Sequence, residues 1–248
     1  MAECYTIVSR DYMRGIVTSL LFSFVITLYA SYTKDEILMS WITLYGLFLP
    51  VLVMTSLFVN LYFSSAEGCP SEVTFPEEPE LRVLYGLAAG AIIIFPITLI
   101  VATLVTVPFN VQFTVATGAE GVVVAVMLQW AIAHWENGVI YFVPDTLSRL
   151  SGGGRLIFVI LIGALIGVLH QWAYGNLLLT LTSTTFFTSI GLIYHGYIPL
   201  APSREPEGFV LVHFLWNCII LANLVSTMPG ILAVLGLIAF LFMTGRIR

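Results

Sequence analysis

Long apolar runs separated by short polar breaks organise this chain, falling near residues 15–32, 38–63, 82–107, 121–143, 156–174, 177–195, 208–226 and 229–245. At about 1.5 Å per helical residue, most of these runs are long enough to cross a hydrocarbon layer about 30 Å thick. The pattern predicts an all-α polytopic membrane protein with about eight transmembrane helices. No stretch between the runs is long enough to fold alone, so residues 1–248 read as a single integral membrane domain.

Composition agrees, since 59% of residues are hydrophobic and 9% charged, a balance that a soluble domain of 248 residues could not carry on its surface. An even number of spans puts both termini on one side of the bilayer. Arg10, Arg14, Arg82, Arg149, Arg155, Arg204, Arg246 and Arg248 fall on that side and only Lys34 on the other. The positive-inside rule makes the terminal side the cytoplasm and places the chain in the cell (plasma) membrane, with the lipid bilayer as its surroundings. Arg10 and Arg14 flank a first apolar stretch that can remain as a membrane helix, so no short cleavable signal is expected before it. The net charge of -5 comes largely from Glu67, Glu72, Glu77, Glu78 and Glu80, in a proline-interrupted linker. The scattered basic residues build no basic face, so no nucleic acid partner is expected. Cys4, Cys69 and Cys218 are too few and too far apart for a disulfide framework, and free thiols are expected.

Glycine and proline punctuate the second half. Pro144 to Arg155, containing Gly152, Gly153 and Gly154, predicts a flexible or re-entrant connection. Gly163 and Gly167, like Gly86 and Gly90, have the spacing of closely packed membrane helices. Thr182, Ser183, Thr184 and Thr185 read as interhelical hydrogen-bonding groups, and His195 as an interfacial residue at the end of its span.

Against this apolar background, Glu136, His170, His213 and Asn217 stand out. A charged side chain at the bilayer centre costs roughly 2.5–3.5 kcal/mol on insertion scales, so such groups persist where they face a cavity, a partner or a substrate. His170 and Tyr174 share one helix face, as do His213 and Asn217, each pair being four residues apart. His134, two positions from Glu136, points away from it. Each polar residue alone is equally compatible with a hydrogen bond between packed helices. Together, a glutamate and a histidine can deprotonate a water, while a second histidine and an asparagine amide can donate to a developing oxyanion. The same Glu136, His170 and His213 can alternatively be read as zinc ligands, although the two-histidine helical motif of zinc peptidases is missing; no cofactor is otherwise expected. A proton-relay transporter is a further alternative, against which the lack of internal repeats counts.

In chain order, Glu136-Asn137-Gly138-Val139-Ile140-Tyr141, Ile166-Gly167-Val168-Leu169-His170 and His213-Phe214-Leu215-Trp216-Asn217 resemble three motifs of the CAAX protease and bacteriocin-processing family, which includes the Ras-converting CAAX endopeptidase. Those motifs are Glu-Glu-x-x-x-Arg, Phe-x-x-x-His and His-x-x-x-Asn or Asp. The resemblance covers the motif-bearing half, 121–245, and departs from the family at Asn137, Tyr141 and Ile166. It implies an eight-helix fold and an intramembrane endopeptidase of the glutamate type acting on a membrane-associated or prenylated peptide or protein. It also implies that Glu136 and His170 activate water and that His213 and Asn217 form the oxyanion hole. The departures leave a non-catalytic scaffold or immunity-like protein of the same fold as the alternative. With ideal upright helices, His213 lies about 8 Å and His170 about 20 Å from the cytoplasmic edge, a mismatch that a common site has to overcome.

Overall fold

The computed structural model describes residues 10–34, 38–39, 42–66, 119–174, 177–198 and 206–223. All regular structure among them is helical: α1 (Arg10–Thr33), a π-helical turn (Thr43–Phe48) leading into α2 (Leu49–Ala66), α3 (Ala119–Ser151), α4 (Arg155–Tyr174), α5 (Leu177–Tyr194) and α6 (Pro206–Asn223). The runs expected at 82–107 and 229–245, including Gly86 and Gly90, lie outside the described residues. Two of the helices, Tyr12–Thr33 and Thr43–Phe63, are long and apolar enough to cross a membrane, and Arg155–Gln171 is a shorter apolar helix. The outer faces are apolar as well: Val17 and Phe24 on α1, and Ile157, Leu161 and Leu165 on α4, are exposed. Apolar surface of this extent marks a face that meets lipid or another protein.

Helix α3 is the axis of the bundle and packs against every other described helix. Every residue from Ala131 to Thr146 is buried, so this helix has no solvated side on which to place its polar groups. Glu136, Asn137 and Asp145 are therefore placed inside the protein.

The expected loop from Pro144 to Arg155 is instead mostly helix. Helix α3 runs through Pro144 to Ser151, and only Gly152 to Gly154 connect it to α4. Proline removes the N–H that would bond the carbonyl four residues back, that of Ile140. His195 supplies the missing donor, its Nε2–H reaching the Ile140 oxygen at 3.0 Å. A donor 55 residues away along the chain thus lets the helix tolerate its proline. The turn closes tightly: Gly152 takes a φ of 67°, its N–H bonds Ser148 O at 2.9 Å, and the Ser148 hydroxyl donates to Gly153 O at 2.8 Å.

His195 is buried. With Nε2–H on Ile140, its Nδ1 accepts from the Arg155 guanidinium at 2.6 Å, and Arg155 Nε forms an ion pair with Asp145 Oδ1 at 2.6 Å. This buried cluster ties α3, α4 and the end of α5 together beside the glycine turn. The α4 and α5 backbones meet at Gly163 and Gly167, where an added Cβ would run into the backbones of Thr188 and Thr184. Thr184 and Thr185 turn their hydroxyls to the Thr180 and Leu181 carbonyls of their own helix, so they do not make the interhelical bonds the sequence suggests. Thr180 does make an interhelical bond, donating to Gln171 Oε1 at 2.5 Å.

Candidate functional site

The short connection sets the geometry of the site. Glu136 lies fifteen residues before the end of α3 (151 − 136), and His170 fifteen residues after the start of α4 (170 − 155). In an antiparallel pair, residues equidistant from the turn come level, and here they face each other. Glu136 Oε2 lies 3.6 Å from His170 Nε2 and 3.5 Å from His213 Nε2.

The depth mismatch expected from the sequence is thus absent. His213 is seven residues into α6 (213 − 206) and His170 fifteen into α4, yet both Nε2 atoms reach the same carboxyl oxygen, so the two helices do not run upright from one level.

Each side chain of the cluster is held from behind. His170 Nδ1–H donates to the Ile166 carbonyl at 2.8 Å, so Nε2 of the neutral ring presents its lone pair to Glu136. Two acceptors facing each other at that distance need a proton or a water between them. His213 Nδ1 lies 3.2 Å from Asn137 Oδ1, so the residue standing where the family has a second glutamate anchors a ring. The Phe187 ring packs against both imidazoles, 5.0 Å from His170 and 5.2 Å from His213, and Phe186 lies 5.4 Å from His213. Tyr45 donates to Glu136 Oε1 at 2.5 Å. Glu136 and His213 are buried, while His170, 13% exposed at its side chain, forms the open edge of the cluster.

Three of the four expected residues are therefore together. Asn217, one turn beyond His213 and half-buried, makes no hydrogen bond to the other three among the described residues. His134 points away as its spacing requires: Nδ1–H donates to Trp130 O at 3.2 Å, and the ring covers Gly15 of α1. The Tyr174 side chain lies outside the described residues. Tyr141, where the family has arginine, stacks on Tyr194 with ring centroids 4.1 Å apart. Among the described residues, no group of three or more His, Cys, Asp or Glu side chains is arranged to hold a metal ion.

Tyr45, Asn137, Phe186 and Phe187 were not read as site residues from the sequence. A tyrosine or phenylalanine within an apolar helix carries no signal beyond packing. Asn137 did carry one, since a buried amide needs partners wherever it sits.

The fold and the cluster together define a helical protein with an internal carboxyl flanked by two imidazoles, a group suited to proton transfer. No family model, no curated protein and no solved structure matches the chain.

Proposed function

We propose that the chain is a polytopic membrane protein of about eight spans and a divergent member of the CAAX protease and bacteriocin-processing family. In this reading it is an intramembrane endopeptidase that hydrolyses a peptide bond in a membrane-associated or prenylated substrate. The supporting observation is that Glu136 Oε2 stands within 3.6 Å of both His170 and His213 Nε2. A water held between Glu136 and His170 gives up a proton to that pair as its oxygen attacks the scissile carbonyl. His213, its Nδ1 side held against the Asn137 amide, gives Nε2–H to the oxyanion, with the Asn217 amide as second donor. The C–N bond then breaks as the proton held by Glu136 and His170 passes to the leaving amine. His170 lies where the cluster opens, so the substrate approaches along α4.

Glu136→Gln keeps the shape of the side chain and removes the base. In detergent-purified protein, cleavage of an internally quenched farnesylated peptide falls about a hundred-fold or more. Cleavage at the parent's rate refutes the reading.

The second reading, a non-catalytic scaffold of the same fold, is favoured by Tyr141, which packs on Tyr194 at the family's arginine position. Cellular function undiminished by joint substitution of Glu136, His170, His213 and Asn217 selects it.

A further inference from the structure

The two oxygens of Glu136 have different surroundings. Oε2 faces both imidazoles and accepts no hydrogen bond among the described residues, while Oε1 accepts one from the Tyr45 hydroxyl. We infer that Tyr45 is a positioning residue, fixing the Glu136 carboxyl with Oε2 turned to His170 and His213; its catalytic consequence rests on the hydrolytic reading above.

The terminal torsion of a glutamate is broad and roughly two-fold, so an unrestrained carboxyl exchanges its oxygens and samples orientations that face neither ring. One short bond to a charged or ionisable oxygen is among the stronger single restraints available in a protein interior. The donor is itself well held: Tyr45 is buried and lies 91 residues from Glu136 along the chain, on a different helix.

The local backbone points the same way. Tyr45 rides on the π-helical turn Thr43–Phe48, where Leu49 N–H bonds Leu44 O, five residues back. Tyr45, Leu49 and Val53, spaced four apart, are buried along one face of this segment, so the hydroxyl is carried on the side that packs into the bundle. π-Turns are rare and collect at functional sites, where they re-aim one side chain. In this chain the π-turn carries the tyrosine whose hydroxyl meets the carboxyl of the cluster.

Tyr45→Phe tests this, because it keeps the ring and its packing and removes only the hydroxyl. Two readouts separate positioning from bulk structure. The first is the infrared carboxyl band of Glu136, isolated as the difference between the parent and Glu136→Gln, which needs no substrate. The second is the split between kcat and KM on the farnesylated peptide. The inference expects the band to move, kcat to fall about ten-fold to a hundred-fold and KM to change less than about two-fold. A band unmoved by Tyr45→Phe overturns it, whatever the activity. A moved band in a protein whose Glu136→Gln form cleaves as fast as the parent sinks the hydrolytic reading alone and leaves the positioning role standing. A Tyr45→Phe protein whose moved band and slowed cleavage appear only together with a lowered melting transition overturns positioning in favour of a folding role.

Discussion

The closeness of α4 and α5 at Gly167 allows a quantitative test of how the backbone holds His170. A Cβ at Gly167 would stand 2.5 Å from Thr184 N and nearer still to Thr184 Cα, whereas ordinary contact begins at 3.4 Å. The backbones must then part by more than 0.9 Å (3.4 − 2.5), because main-chain atoms cannot rotate aside as a side chain can. At Gly163 the nearest atom, Thr188 Cα, is at 2.6 Å, a demand of 0.8 Å (3.4 − 2.6), and at Gly154 the nearest is Ile157 Cδ1 at 3.8 Å, which demands nothing. Elsewhere in a helix, Gly→Ala stabilises by about 1 kcal/mol, so a loss at Gly163 or Gly167 reports the close approach itself. Overpacking of this kind costs about 1–3 kcal/mol. At about 2–4 °C per kcal/mol for a chain of this length, Gly167→Ala melts several degrees below the parent. Gly163→Ala falls between, and Gly154→Ala melts with the parent or slightly above it. The displacement also reaches His170, three residues on, where a shift near 1 Å in a catalytic group costs about a hundred-fold in rate. Tryptophan-fluorescence melts in one detergent, paired with peptide cleavage, measure both effects. If Gly167→Ala melts with or above the parent, or the order of the three is reversed, the packing argument fails.

Two further expectations concern the buried polar groups. His195→Phe leaves the Ile140 carbonyl without its donor and destabilises by about 1–3 kcal/mol. Adding Pro144→Ala restores a backbone N–H four residues on from Ile140, so the double variant should recover at least half of that loss in thermal melts, and strict additivity would show that the proline and histidine are not coupled. Asn137→Leu removes the partner of His213 Nδ1 together with an amide nitrogen that has no partner of its own among the described residues. Its melting temperature should therefore hold or rise while kcat falls at least about ten-fold, and unchanged kcat would remove Asn137 from the site.

What could be read from the sequence followed from the cost of solvation. Apolar runs had to become buried or lipid-facing helices, and six of the eight correspond to α1 to α6. Glu136, His170 and His213 drew attention because each is expensive in such a run, whatever its neighbours. The sequence could not show that these costs are shared. Their meeting depends on a three-residue turn, on how α6 packs against α3, and on glycines that let α4 and α5 close together. The same limit explains the misreading at Pro144. Proline breaks a helix only where its orphaned carbonyl stays unpaired, and here the donor comes from the end of another helix. Tyr45 escaped for a related reason: local sequence sets a residue's type and rough face, but only the tertiary structure decided that its hydroxyl would meet a carboxyl on the central helix.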